Sequence, residues 1–199
     1  MSYRLVWQAG LAACALSAAA AALAQDAPEF LAVTDGNRIR TLHTLPLEMQ
    51  APADLPFFGP THRSATFNAV PFDISLGAFL DNSRVIMVHA EQVADGSGAA
   101  NYTRFPATDW PLSGFRDKPL FCFDLTADDV AVEHDLSWLR DHGFDPVGPI
   151  WLDQYFLSDD DFNNEVVISL IVRAEDCETE PAAALSALRR SLSVIDRRP

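Results

Sequence analysis

PIWLDQYFLSDDDFNNEVVISLIVRA, residues 149–174, is the stretch that decides the fold. Two apolar runs, 149–157 and 165–174, flank an acidic tip. Both runs are strand-length and rich in Val, Ile, Leu and aromatic residues, which suit a pleated, buried surface. The tip SDDDFNN supplies Asp and Asn, whose short side chains bond to nearby backbone and favour turns. The pattern predicts an antiparallel hairpin.

Working outward, RVIMVHAEQVA (84–94) and PLFCFDL (119–125) read as two further core strands. ATFNAVPFDI (65–74) has strand character, although Pro71 confines it to an edge or a bulge. ANYTRFP (100–106) follows the turn residues Asp95-Gly96-Ser97-Gly98 and is expected to close a hairpin on 84–94. A helix is expected from Thr126 to His142. It opens on TADD, a capping-box pattern with Asp129 in place of Glu, and ends at Gly143, a suitable residue just past a helix end. A second helix is expected from about Pro181 to Ile195, with Thr179 as its cap and Leu185, Leu188, Leu192 and Ile195 at helical spacing.

Strands and helices in this order predict α+β: a single domain with a twisted antiparallel sheet and two helices packed on one face. The N-terminal part is read separately. Residues 1–24 form a cleaved signal peptide, 25–64 a proline-rich extended segment and 65–199 the α+β domain. Within 25–64 a short strand is expected near 38–44, after Asp35-Gly36-Asn37. LEMQAPADLPFFGPTH is expected as extended loop, because proline removes donors and biases its neighbour away from helix.

The signal reading rests on Arg4, the apolar run that follows it, and the small-x-small pattern Ala22-Leu23-Ala24. It implies bacterial-type export to the periplasm or beyond. LAAC also resembles a lipidation site at Cys14, and the run from Leu5 to Ala24 is long enough to stay as an anchor. In an oxidising compartment Cys122 and Cys177 are expected to pair. The bridge would close a loop of roughly 55 residues, worth about 4 kcal/mol in the chain-entropy treatment. The alternative is a reactive thiol.

Asp and Glu number 28 against 14 Lys and Arg, a formal net charge of −14. That excludes nucleic acid, whose phosphates demand a basic face, and anionic lipid surfaces. It admits a basic protein partner, steered in by the acidic field. The loop aromatics Phe57, Phe58, Trp110 and Phe115 are the candidate anchors for such a partner. Plugging the ends of the sheet is their alternative role.

Three constellations carry possible chemistry. His89 and Glu91 share one face of a strand by its period of two, and Tyr102 and Arg104 share a face of the next predicted strand. If these faces meet, His89 is a candidate base, with Glu91 or Arg104 setting its pKa. Asp159, Asp161, Asn163 and Glu165 sit at alternate positions as in a calcium loop. Yet Asn164 stands where the turn needs Gly, and Leu170 where the last ligand should be Glu. His134, Asp135, Asp141 and His142 invite a zinc reading, but no H-E-x-x-H occurs. No nucleophile elbow, phosphate-binding loop or dinucleotide fingerprint is present, and no cofactor is expected. The sequence alone thus favours an exported acidic interaction protein without catalysis, an inhibitor or immunity-type partner. The alternative is a small hydrolase-like enzyme or ligand carrier using the polar sheet face around His89 and Glu91.

Overall fold

The computed structural model describes residues 28–197. The signal peptide and Cys14 lie outside the described residues. The chain runs through β1 (Leu31–Asp35), β2 (Arg38–Thr41), β3 (Leu47–Gln50), β4 (Phe57–Phe67), β5 (Val70–Leu80), β6 (Arg84–Val93), β7 (Ala107–Thr108) and β8 (Phe115–Leu125). It continues through α1 (Ala127–Val132), α2 (His134–Asp141), β9 (Gly148–Ser158), β10 (Asn164–Arg173), α3 (Ala182–Ser191) and β11 (Ser193–Asp196). Two antiparallel sheets form. The larger has the order β4-β5-β6-β10-β9-β8-β7 and the smaller β1-β2-β3-β11.

The 149–174 hairpin is β9 and β10, paired from Glu165 opposite Ser158 to Arg173 opposite Ile150. Strand β10 is buried along both faces, which explains its nearly unbroken apolar run, and it slots between β9 and the distant β6. Alternation then sorts the side chains. Val166, Ile168, Leu170 and Val172 join one large core that includes Ile39, Leu47 and Met49 of the smaller sheet and Leu185 and Leu188 of α3. This shared core makes the two sheets one domain. On the opposite face, Ile171 meets Val85, Met87, Ile150 and Leu152 beneath Leu139 of α2.

The expected α+β class is therefore what forms, with helices on both faces of the large sheet. Other expectations are revised locally. Residues 65–74 are not one strand but the end of β4 and the start of β5, reversed at Asn68 and Ala69 with φ of 50° and 70°. Two left-handed residues in a row make the twist-matched turn of a tight hairpin. Residues 100–106 are not a strand, because β6 already has β5 and β10 as neighbours.

The helix expected over 126–142 breaks at Glu133, which is extended at φ −96° and ψ 118°. Val130 and Leu139 are both buried, yet at 100° per residue they would point roughly 180° apart on one continuous helix. The break reconciles them. The capping box at Thr126 and Asp129 forms as expected, and Gly143 turns the chain with φ 104°. Helix α3 is shorter than expected: Pro181, not Thr179, stands at its cap, and Ile195 belongs to β11. Within the proline-rich stretch 25–64 lie β1, β2, β3 and the start of β4. Gly59 and Pro60 fall in the irregularity of β4–β5 pairing between Phe58 and Thr61, where a missing donor costs least.

Gly77 on β5 marks the tightest approach. A Cβ there would lie 2.3 Å from the Phe57 ring, which packs on Phe79 at 5.1 Å between centroids. Gly77→Ala should cost about 1–3 kcal/mol by overpacking, read as a lower urea midpoint at unchanged slope.

Candidate functional site

Strand β6 carries Val85, Met87, His89, Glu91 and Val93 on the face opposite the large core. Helix α2 covers the Val85–Met87 end, and its Asp135 reaches as far as His89. Beyond it lies a cavity of about 530 Å³, bounded by this sheet face, the 99–105 loop and the β4–β5 turn. Among its lining residues are His89, Glu91, Tyr102, Arg104, Asp135 and Glu165. The four groups expected to converge thus do so. Tyr102 and Arg104 arrive on a loop rather than a paired strand. Tyr102 is held by stacking on Phe156 at 4.1 Å, and Arg104 lies over the rings of Phe105 at 4.7 Å and Tyr102 at 5.6 Å.

Three partners extend the set. Asp135 opens α2, where the helix dipole favours a carboxylate. Its Oδ1 accepts from Arg63 Nη2 at 2.9 Å. Its Oδ2 lies 3.3 Å from His89 Nε2, at ion-pair distance but without hydrogen-bond geometry. Glu165 stands directly opposite Glu91 across β10 and β6. Glu165 is only 2% exposed, and its Oε2 has no hydrogen-bond partner.

No known protein family, characterised protein or solved structure matches this chain. Function therefore has to be argued from the cavity itself.

Its electrostatics follow from burial and neighbours. Desolvation is the largest influence on His89 and alone would lower its pKa, but Asp135 and Glu91 outweigh it and hold the imidazole above its ordinary value. The neighbouring carboxylates thus favour the imidazolium and strengthen His89 as a proton acceptor. Asp135 is also opposed by burial, yet His89 and Arg63 hold it well below the usual carboxylate range. Glu91 is raised chiefly by burial. Glu165 is raised well above the ordinary value, first by burial and then by the facing Glu91. Burial raises Tyr102 strongly, and Glu165 adds to it, so the phenol stays neutral.

This pair predicts a pH dependence. A carboxyl whose folded pKa exceeds its unfolded value favours folding fully below the unfolded pKa, and that contribution is lost as pH rises through the folded value. Glu165→Gln removes one such group and offers Glu91 an amide donor. The variant should match the wild type near pH 4, about the unfolded carboxyl pKa. At about pH 8 it should be more stable by about 1–3 kcal/mol, the cost of a buried unsatisfied group. Paired melting curves across that range check the widening gap.

The remaining candidates fall elsewhere. In the calcium-like tip, Asp159 Oδ1 accepts from the Asn163 and Asn164 amides at 2.9 and 3.1 Å, so it organises the turn. Asn163 Oδ1 accepts from Gly98 N at 2.8 Å, and Glu165 belongs to the cavity, so with Asp161 these four do not converge. His142 stacks on Trp138 at 4.0 Å, whereas His134 lies 3.3 Å from Asp135; the zinc reading lacks a common centre. Phe115 is fully buried, and Phe57 and Trp110 pack against the large core. Phe58 meets His142 edge-on at 5.8 Å. None of these four aromatics is an exposed side chain. Sequence reasoning missed Arg63 and misassigned Asp135 and Glu165. Only the two-faced burial of β10, with one acid at its start, hinted at the last.

Proposed function

We propose that this chain is an exported small-ligand-binding protein whose ligand enters the cavity above His89, Glu91 and Glu165. One observation carries the reading: a cavity of about 530 Å³ is lined by a buried carboxyl, Glu165, whose Oε2 has no hydrogen-bond partner in the fold. Ligand sites characteristically occupy about 300–1,000 Å³, with apolar walls and a few convergent polar groups. An unsatisfied buried polar atom calls for an explanation, and a ligand that pairs with it is one. Phe72, Phe123 and Phe156 supply apolar wall, and Gln154 and Tyr102 add hydrogen-bonding groups. Phe115 is buried and Phe57, Phe58 and Trp110 are half-buried, which makes them weaker anchors for a docking partner than fully exposed rings would be.

The test is a thermal-shift screen of small amines, acids and zwitterions against the wild type and Ala99→Trp. Ala99 is exposed on the cavity edge, so the indole obstructs the opening without loading the core. A compound at about a hundred times its Kd adds about 2.7 kcal/mol. At least one compound should raise the wild-type Tm and fail to raise that of Ala99→Trp. No response, or equal responses in both proteins, would overturn the reading.

A further inference from the structure

The cavity is electrically divided. Glu91 and Glu165 stand opposite each other on β6 and β10. Lys118 lies on β8, opposite Gln154 of β9, whose own partner on β10 is Ser169. Lys118 is thus two strands across from Glu165 and several residues along the sheet. At about 4.8 Å per strand and 3.4 Å per residue, the two Cα atoms are on the order of 15 Å apart. Their side chains close part of that span, leaving room for one aromatic ring. Arg104 lies near enough to Lys118 to depress its pKa, though burial is the larger cause. Lys118 Nζ donates to Gln154 Oε1 at 2.8 Å, and Arg104 Nη1 donates to the Asn101 carbonyl at 3.3 Å. Among the described residues, neither cation pairs with a carboxylate.

Resting on the small-ligand reading above, we infer that the cavity selects an organic zwitterion, seating its ammonium between Glu91 and Glu165 and its acidic group against Arg104 and Lys118. Two facing buried carboxyls repel when both are ionised, so one proton stays with the pair. An ammonium group replaces that proton with a fixed positive charge and offers a donor to Glu165 Oε2. The displaced proton goes to solvent. The aromatic wall of Tyr102 and Phe156 suits the ring or chain between the charged ends and adds attraction for the cation. Other charges bear on the pair. Tyr102 faces Glu165 from the loop, and His89, with Asp135 and Arg63 behind it, flanks Glu91. With Asp135 salt-bridged, Glu165 Oε2 is the unpartnered acceptor for a cation.

Calorimetry with three probes sharing one ring tests this: para-aminomethylbenzoate, benzylamine and benzoate. The zwitterion should bind at least tenfold more tightly than either single-ended probe. Its apparent enthalpy should differ between Tris and phosphate near pH 7 in the sense of proton release. Glu165→Gln should weaken the zwitterion at least tenfold, abolish the buffer dependence and leave benzoate unchanged. Lys118→Ala should bring the zwitterion down to the level of benzylamine. The Gln variant is expected to be at least as stable as the wild type, so loss of binding there is not loss of fold. Benzoate binding as tightly as the zwitterion, no effect of Glu165→Gln, or no binding of any probe would overturn the inference. If other compounds still distinguish wild type from Ala99→Trp, only the ligand class fails. If none does, the binding cavity fails with it.

Discussion

Replacing Asp153 by alanine should destabilise the protein by about 3 kcal/mol, toward the lower end of the 3–5 kcal/mol expected when one partner of a buried ion pair is removed. The Asp153 side chain is 2% exposed. Its Oδ2 accepts from the Tyr155 hydroxyl at 2.7 Å and from Arg189 Nε at 3.0 Å, with Arg189 Nη2 closer still. Truncation leaves the buried Tyr155 hydroxyl without its acceptor. Arg189 is 38% exposed and can turn to water, which places the expected loss at the lower end. Tyr155 also supports Trp110 edge-on at 4.4 Å, so the loss spreads into the 107–115 connection. Tyr155→Phe should cost only about 1 kcal/mol, the net value of one hydrogen bond. Asp153→Asn, which keeps an acceptor, should fall between the two. Urea unfolding of the three variants checks the order. An Asp153→Ala loss below that of Tyr155→Phe would show that Arg189 contributes nothing through this pair.

The Asp153 network could not be read from the sequence, although its setting partly could. The β9–β10 hairpin was legible because both strands and their turn lie in one window and the two periodicities agree. The capping box at Thr126 was legible for the same local reason. The insertion of β10 between β6 and β9 was not, since no local signal says which distant strand will pair. An aspartate inside an apolar strand and an arginine at the end of a helix read separately as an oddity and a dipole-favoured charge. Only the packing of α3 against the sheet, through Leu185 and Leu188, turns them into a pair.

The cavity divides in the same way. Alternation placed His89 and Glu91 on one face with no tertiary information. The approach of Tyr102 and Arg104 was expected for the wrong local reason, a hairpin that β10 pre-empts. Arg63 gave no signal, because an arginine in a polar strand is ordinary until a half-buried carboxylate faces it. Asp135 and Glu165 attracted attention through metal-like spacings that the fold does not use. An acid beside the charged tip in sequence became, with Asp153, one of the two most withdrawn from water in the structure.

Reduction of the Cys122–Cys177 bridge, or the double replacement by alanine, should cost about 4 kcal/mol, close to the entropy of a loop spanning 55 residues. Against the 5–15 kcal/mol of a typical domain that is a large share. The location adds a reason for a local effect. Cys122 lies on β8 opposite Trp151, and Cys177 lies in the exposed connection between β10 and α3. Apart from the bridge, Trp151 Nε1 donates to the Asp176 carbonyl at a long 3.4 Å, and the Asp176 side chain only closes a turn on the amides of Glu178 and Thr179. The bridge is thus the principal tether just ahead of the helix that delivers Arg189 to Asp153. Hydrogen exchange in α3 should rise before that in β9 and β10 when the cysteines are replaced. The losses from the cysteine pair and from Asp153→Ala should also add to less than their sum, since once α3 loosens the ion pair is already weakened. Full additivity in a triple variant would separate the two devices and show that the bridge acts on the unfolded chain alone.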